Sequence, residues 1–351
     1  MTQEFPLCKL CHANRADKKG SHVIPLFLLS TMLTENGKAR GREISVRISS
    51  TQFSKFQIGR EVNPDKINEI LGRDYQESDA ENNVNFYVRD NFLCSGCEDR
   101  LAILEGIVSS EVYQSIDTFP LERGNEFEVI SVPIKQNSLF RWLILSILWR
   151  CGITEFNGMK LPQPYLDRIR TDLDGLLSNR KETLINNLEI KKASLYEYYL
   201  SIFFKEKIEK NNYSVYFHPP ANSPYYFIFN EFIIAFYNKK KSIKGSFSEF
   251  WGFNKFLRNE FFTKKYFGKI VIIPNEFQVS LKEKMIANYV SKLGDFHKTA
   301  VKLLFFKHTG NQIDEATLNR FIAAYADSPK SIDKLSQKNF LNFYETYFNG
   351  K

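Results

Sequence analysis

The chain has 351 residues, 43% of them hydrophobic, and a formal net charge of +8. That length is enough for two domains and a substantial core, and the apolar share excludes disorder as the default. Residues 1–20 are polar and charged, so no secretory leader is expected, and the most apolar run, 139–149, is too short to cross a bilayer.

These properties lead to the expectation of a soluble protein in a reducing, cytoplasmic compartment, where free thiols favour metal over disulfide. With 32 Phe and 17 Tyr, the core should be rich in aromatic rings. Residues 1–11 read as a loop that ends in the turn Cys8-Lys9-Leu10-Cys11. Ser21 to Ile24 forms a short strand. Pro25 opens an apolar helix over 26–33, because a missing N–H costs nothing in a first helical turn, and Asn36-Gly37 ends it. Residues 43–49 alternate, with Ile44, Val46 and Ile48 on one face, the pattern of a half-buried strand, and 53–58 is its candidate partner. Asn63 and Pro64 mark a helix start followed by Ile67, Ile70 and Leu71 at helical spacing. Residues 75–83 are polar and acidic, a loop. Residues 84–93 form a strand that delivers the second turn, Cys94-Ser95-Gly96-Cys97.

A helix over 97–112 follows, with Leu101, Leu104 and Val108 on its apolar side. Glu98 and Glu105 are seven apart and share a face. Residues 119–125 read as a boundary, and 127–132 as a strand. Residues 138–151 form a helix that is apolar nearly all round, with Arg141 and Arg150 expected to snorkel or pair and Cys151 to be a buried apolar residue. Residues 162–177 form another helix, and 185–208 read as helical in two pieces. Strands are expected over 213–217, 226–237 and 269–273. Between them lie a basic tip, 239–244, and the stretch 250–262, whose aromatic residues interleave with lysines and an arginine. Such interleaving can stack bases and hold phosphates, though phenylalanines in this number are also core material. Residues 275–349 read as four helices.

Two Cys-x-x-Cys turns suit tetrahedral zinc, because each tight turn aims two sulfurs at one ion and two turns complete four ligands. Cys8, Cys11, Cys94 and Cys97 are thus candidate ligands of a structural zinc, across an 82-residue span between Cys11 and Cys94. Two unrelated pairs of buried cysteines are the plain alternative. A redox pair would need a strand–helix context that residues 1–11 do not offer.

The order Cys8-x-x-Cys11, His22-Val23-Ile24-Pro25, then Asn91-x-x-Cys94-x-x-Cys97-Glu98 resembles the HNH, or ββα-metal, endonucleases with a treble-clef zinc site. The resemblance covers about residues 5–110. It implies an N-terminal treble-clef module over 1–120, with an insertion at about 35–83; the run of elements after it reads as a larger, helix-rich mixed α/β domain over 126–351, so the fold class is α+β. The resemblance also implies that His22 is the general base, that Asn91 and Asp90 orient the loop or the base, and that Glu98 stands where the family has a helix histidine. Glu98 and Glu105 are then candidate ligands of a catalytic Mg²⁺ or Mn²⁺. Ser21 stands where the family has an acidic residue or a second histidine before the base. The implied function is a metal-dependent nuclease, by family analogy one serving restriction or phage defence with a protein partner in a multi-component system. A catalytically inactive zinc-containing binding or scaffold protein is the alternative.

Charge bears on the partner. Residues 1–125 hold 15 Lys and Arg against 18 Asp and Glu, a net −3, whereas residues 126–351 carry +11. A basic surface supplies the sequence-independent part of nucleic-acid affinity, so residues 126–351 are expected to bind nucleic acid, DNA ahead of RNA, or a partner. A solvated basic face is the bland reading of the same charge. No membrane association is expected.

Overall fold

A computed structural model describes residues 5–33, 44–47, 55–58, 62–63, 65, 67–68, 74, 76, 85, 87–123, 128–205, 215–217, 225–229, 232–237, 267–328 and 337–349. The expected turn at Asn36-Gly37, the loop 75–83 at most of its positions, the basic tip 239–244 and the aromatic–basic stretch 250–262 lie outside these residues. The fold is mixed α+β. Met1–Met32 with Tyr87–Leu281 form one compact unit, and Leu33–Phe86 with Lys282–Lys351 form a second.

The first unit opens with strand β1 (Ser21–His22) and helix α1 (Leu26–Leu33), whose first turn closes on the Pro25 carbonyl. After β2 (Ile44–Arg47) and β3 (Lys55–Ile58), which belong to the second unit, come β4 (Val88–Arg89) and helix α2 (Ser95–Val108). β4 pairs antiparallel with β1, placing His22 opposite Val88 and Ser21 opposite Arg89. Among the described residues, the expected strand over 84–93 is two residues long. Past Arg89 the backbone bends, and Asn91 takes a left-handed φ of 56°, which asparagine tolerates better than most residues.

A seven-stranded sheet follows, in the order β5-β6-β11-β7-β10-β9-β8. Its strands are β5 (Leu121–Arg123), β6 (Glu128–Ser131), β7 (Tyr199–Lys205), β8 (Val215–Phe217), β9 (Tyr225–Phe229), β10 (Phe232–Tyr237) and β11 (Lys269–Ile273). β7 and β11 run parallel; the other pairs are antiparallel. The sheet begins at Leu121, inside the stretch that reads as a boundary. Between β6 and β7 lie helices α3 (Ile134–Ile153), α4 (Gln163–Leu176) and α5 (Lys181–Leu195).

α3 organises this unit. Every residue from Asn137 to Gly152 is buried, because the helix packs against α2, α4 and α5 and against the sheet, where the Phe140 and Phe232 rings meet edge-on at 5.0 Å. A helix covered on all sides needs no polar stripe, and so Arg141 and Arg150 do not snorkel: both are buried and make internal hydrogen bonds.

Two expectations are corrected here. The second helical piece within 185–208 is strand β7, with Leu200, Ile202 and Phe204 buried at alternate positions, the period of a strand. The single strand over 226–237 is two antiparallel strands, and β10 is buried along its whole length as a central strand should be.

The second unit holds the antiparallel pair β2 (Ile44–Arg47) and β3 (Lys55–Ile58). Asn63 Oδ1 accepts from the Asp65 N–H at 2.9 Å, the capping contact expected at that helix start. Among the described residues, 275–349 form three helices rather than four: α6 (Asn275–Thr309), α7 (Glu315–Asp327) and α8 (Gln337–Asn349). Asp314 caps α7 by accepting from the Thr317 N–H at 2.8 Å, and that bond holds its carboxyl below the ordinary range. Phe321 sits at the centre of an aromatic core with Tyr325, Phe340 and Tyr344. Among the described residues no helix is long and apolar enough to cross a membrane.

Candidate metal centre

The two Cys-x-x-Cys turns meet. The sulfurs of Cys8, Cys11, Cys94 and Cys97 all lie within 4.8 Å of one another, and Cys11 and Cys94 are 4.0 Å apart. Four sulfurs at about 2.3 Å from one zinc, tetrahedrally arranged, would be roughly 3.8 Å apart, so the cluster can hold a metal ion such as zinc. Three of the four cysteines are buried and Cys11 is half-buried; Cys151 is buried elsewhere in α3.

Local backbone chemistry explains the convergence. In the first turn the His12 N–H donates to the Cys8 carbonyl at 3.0 Å, and His12 takes a left-handed φ of 55°. In the second, the Cys97 and Glu98 N–H groups donate to the Cys94 carbonyl, so the turn doubles as the start of α2. The two turns are cross-tied: the Lys9 N–H donates to the Phe92 carbonyl at 2.9 Å and the Lys18 N–H to the Leu93 carbonyl at 3.1 Å. Asp17, from the first loop, accepts from the Ser95 N–H at 2.9 Å and caps α2, where its charge also suits the helix dipole.

α4 braces both turns. Arg170 Nη1 donates to the Leu10 carbonyl at 3.1 Å. Arg100 Nη2 donates to Cys97 Sγ at 3.0 Å and to Asp174 Oδ1 at 2.7 Å. A guanidinium beside a thiolate offsets part of the negative charge that four sulfurs bring to one cation. The thiols show the same crowding. The hydrogen bond from Cys97 holds the Cys8 thiol down at about 4. The same bond, then burial, pushes Cys97 up, and burial pushes Cys94 up. Four such sulfurs do not ionise together unless a cation compensates them.

Beside this cluster stand the residues proposed for chemistry. His22, on β1, is half-buried. Its carbonyl accepts from Arg150 Nη1 at 2.9 Å, and the same Nη1 lies 2.8 Å from Glu105 Oε1. Burial pushes the Glu105 carboxyl up, Arg150 pulls against that shift, and the charge of Glu98 adds to it. Glu98, Glu105, Arg150 and the His22 main chain therefore share one neighbourhood. Glu98 Oε2, Asn91 Oδ1 and Ser21 Oγ are buried oxygens with no hydrogen-bond partner. Asp90 is exposed, and its Oδ1 accepts from the Gly20 N–H at 2.7 Å, which closes the turn before β1.

Arg150, expected to snorkel or pair, pairs with Glu105, whereas Arg100 with Asp174 and the Asp17 cap were not anticipated from the sequence. Only Arg150 left a signal, a cation inside an otherwise apolar helix. No protein-family model, curated protein or solved structure matches this chain.

Proposed function

We propose that the N-terminal module is a metal-dependent nuclease of the HNH type, built on a structural zinc held by Cys8, Cys11, Cys94 and Cys97. The observation that carries this reading is the pair of unpartnered buried oxygens, Asn91 Oδ1 and Glu98 Oε2. They sit on the loop and the helix that follow the strand paired with His22. A buried oxygen without a donor is costly, and a hard divalent cation would remove that cost, since Mg²⁺ takes oxygen ligands.

In this reading Asn91 and Glu98 hold the cation, and Glu105, already paired with Arg150, sets the local charge. A cation held there would supply positive charge for the phosphate and the leaving oxygen. His22 takes the proton from the attacking water as the new P–O bond forms. The departing oxygen leaves with the electrons of the broken P–O bond and takes a proton from solvent. Arg150 holds the His22 main chain in place. Residues 126–351, with their net +11, would hold the nucleic acid, DNA ahead of RNA, through phosphate contacts. A role in phage defence with a protein partner, in the cytoplasm, belongs to the same reading.

The expected result is cleavage of single- or double-stranded DNA or RNA with Mg²⁺, Mn²⁺ or Ni²⁺. His22→Ala should abolish it while zinc content and nucleic-acid affinity stay unchanged, because a base acts on the transition state rather than on ground-state binding. Wild-type protein inactive on all four substrates would favour the second reading, an inactive zinc-containing scaffold. One observation favours that reading now: Ser21, fully buried, replaces the acid expected before the base.

A further inference from the structure

The N-terminal half of α3 carries a second concentration of unused polar groups, away from the cysteines. Arg141 is only 5% exposed, yet among the described residues it meets no carboxylate. Its Nε donates to Asn137 Oδ1 at 2.7 Å, Nη1 to the Leu200 carbonyl at 2.9 Å and Nη2 to the Phe267 carbonyl at 3.3 Å. Its plane lies over the Phe267 ring, 4.6 Å from the centroid. These three acceptors are neutral and leave guanidinium N–H groups over.

The neighbouring donors are also unused. Asn137, fully buried, turns its amide oxygen to Arg141, which leaves its Nδ2 without a partner. Ser138 Oγ and Trp142 Nε1, one turn apart on the adjoining stripe, are buried and unpartnered too. Burial holds the Arg141 guanidinium down at about 10, so it is still charged at neutral pH. A buried cation with no counter-charge among the described residues, beside an idle amide donor, is costly on both counts. One occupant relieves both: a negatively charged group with several acceptor oxygens.

We propose that Arg141 and the Asn137 amide form an interior binding site for a compact oxyanion, of the phosphate or carboxylate class, between α3, the start of β7 and Phe267. Ser138 Oγ and Trp142 Nε1, on the adjoining stripe of α3, are candidate additional donors. The site is independent of the zinc cluster and of the proposed nuclease centre, so either can fail without the other.

The test uses the full chain at constant, high sodium chloride, titrated separately with inorganic phosphate and with acetate while thermal unfolding is followed. The expected result is a rise in Tm with at least one of them, negligible well below the dissociation constant and growing with the logarithm of concentration above it, as linkage requires. Anions released on denaturation, identified by ion chromatography, should include one at near-stoichiometric amount in protein never exposed to either titrant. Arg141→Met should lose the response. Should that variant fail to fold, Asn137→Asp decides: it places a carboxylate against the guanidinium and removes the amide donor. It should be as stable as anion-saturated wild type and weaken anion binding by roughly tenfold or more, the size of a lost charge-assisted hydrogen bond. Wild-type protein with no such rise in Tm and no released anion would overturn the proposal, leaving Arg141 as a clamp on two backbone carbonyls. A response that persists undiminished in Asn137→Asp would overturn the assigned location.

Discussion

Replacing Cys94 with serine is expected to cost the protein its metal and the order of its N-terminal module together. Serine is the informative substitution because Cys94 is also the residue at the start of α2, and serine caps helices well. The helix start is preserved, and only the sulfur is lost. A structural zinc contributes about 10–16 kcal/mol of apparent binding free energy in small modules at neutral pH, as much as the entire stability of a typical domain, about 5–15 kcal/mol. The loss should not stop at residue 108. α4 holds both cysteine turns through Arg170 and through the Arg100–Asp174 pair, so its first-unit packing should loosen as well. Hydrogen exchange should show lost protection over residues 7–29 and 88–108, with partial loss over 163–176. A strong chelator should produce the same pattern in the wild type. Native protection in Cys94→Ser would mean that the four cysteines are ordinary core residues.

The second large effect is expected at Arg150. Its guanidinium, 1% exposed, joins α3 to α2 through Glu105 and to β1 through the His22 carbonyl. Arg150→Met keeps most of the side-chain volume but leaves the Glu105 carboxylate without its partner, and breaking one side of a buried pair costs about 3–5 kcal/mol. The pH dependence carries a sign. Burial raises the Glu105 carboxyl above its ordinary 4.5, so the folded state holds that proton more tightly than the unfolded chain does. The stability this contributes is full below 4.5 and is lost as pH rises through the folded value. Without Arg150 the loss grows, so the variant should be closest to wild type in acid and furthest from it at neutral pH. Adding Glu105→Gln should recover much of the deficit at pH 7. Urea unfolding of the wild type, Arg150→Met, Glu105→Gln and the double variant at two pH values measures this directly; a deficit that does not change with pH would assign the effect to lost packing.

These two sites differ in how much the sequence disclosed. The cysteine cluster was legible because Cys-x-x-Cys is local: the turn that aims two sulfurs is written in four residues, and only the pairing of the turns needed tertiary structure. α1 and β11 were legible for a similar reason, since their periodicity and flanking residues are local as well. The Arg150–Glu105–His22 connection was not, because its groups are far apart in sequence and an arginine in an apolar helix is equally compatible with snorkelling. β7 was misread because Tyr199–Lys205 is a short apolar run, and such runs do not separate strand from helix by pattern alone. The sheet around it, with β10 on one side and β11 on the other, decides the matter. β9 and β10 merged into one expected strand because both are almost wholly apolar and no Gly or Pro lies between them.

The site residues show the same division. His22, Asn91 and Glu98 are proposed from their order along the chain, but nothing in that order revealed that Asn91 Oδ1 and Glu98 Oε2 are buried without partners. Nor did it show Glu105 engaged by a buried cation or Asp90 closing a turn. Burial and partner identity are properties of the packed chain.

X-ray absorption at the zinc edge, on protein purified under reducing conditions with zinc supplied, tests the cysteine cluster most directly. One zinc per chain is expected, with a first shell of four sulfurs at about 2.3 Å and no nitrogen or oxygen ligand. A shell containing nitrogen or oxygen, or folded protein that binds no zinc, would contradict the assignment of Cys8, Cys11, Cys94 and Cys97 as the ligands of one metal ion.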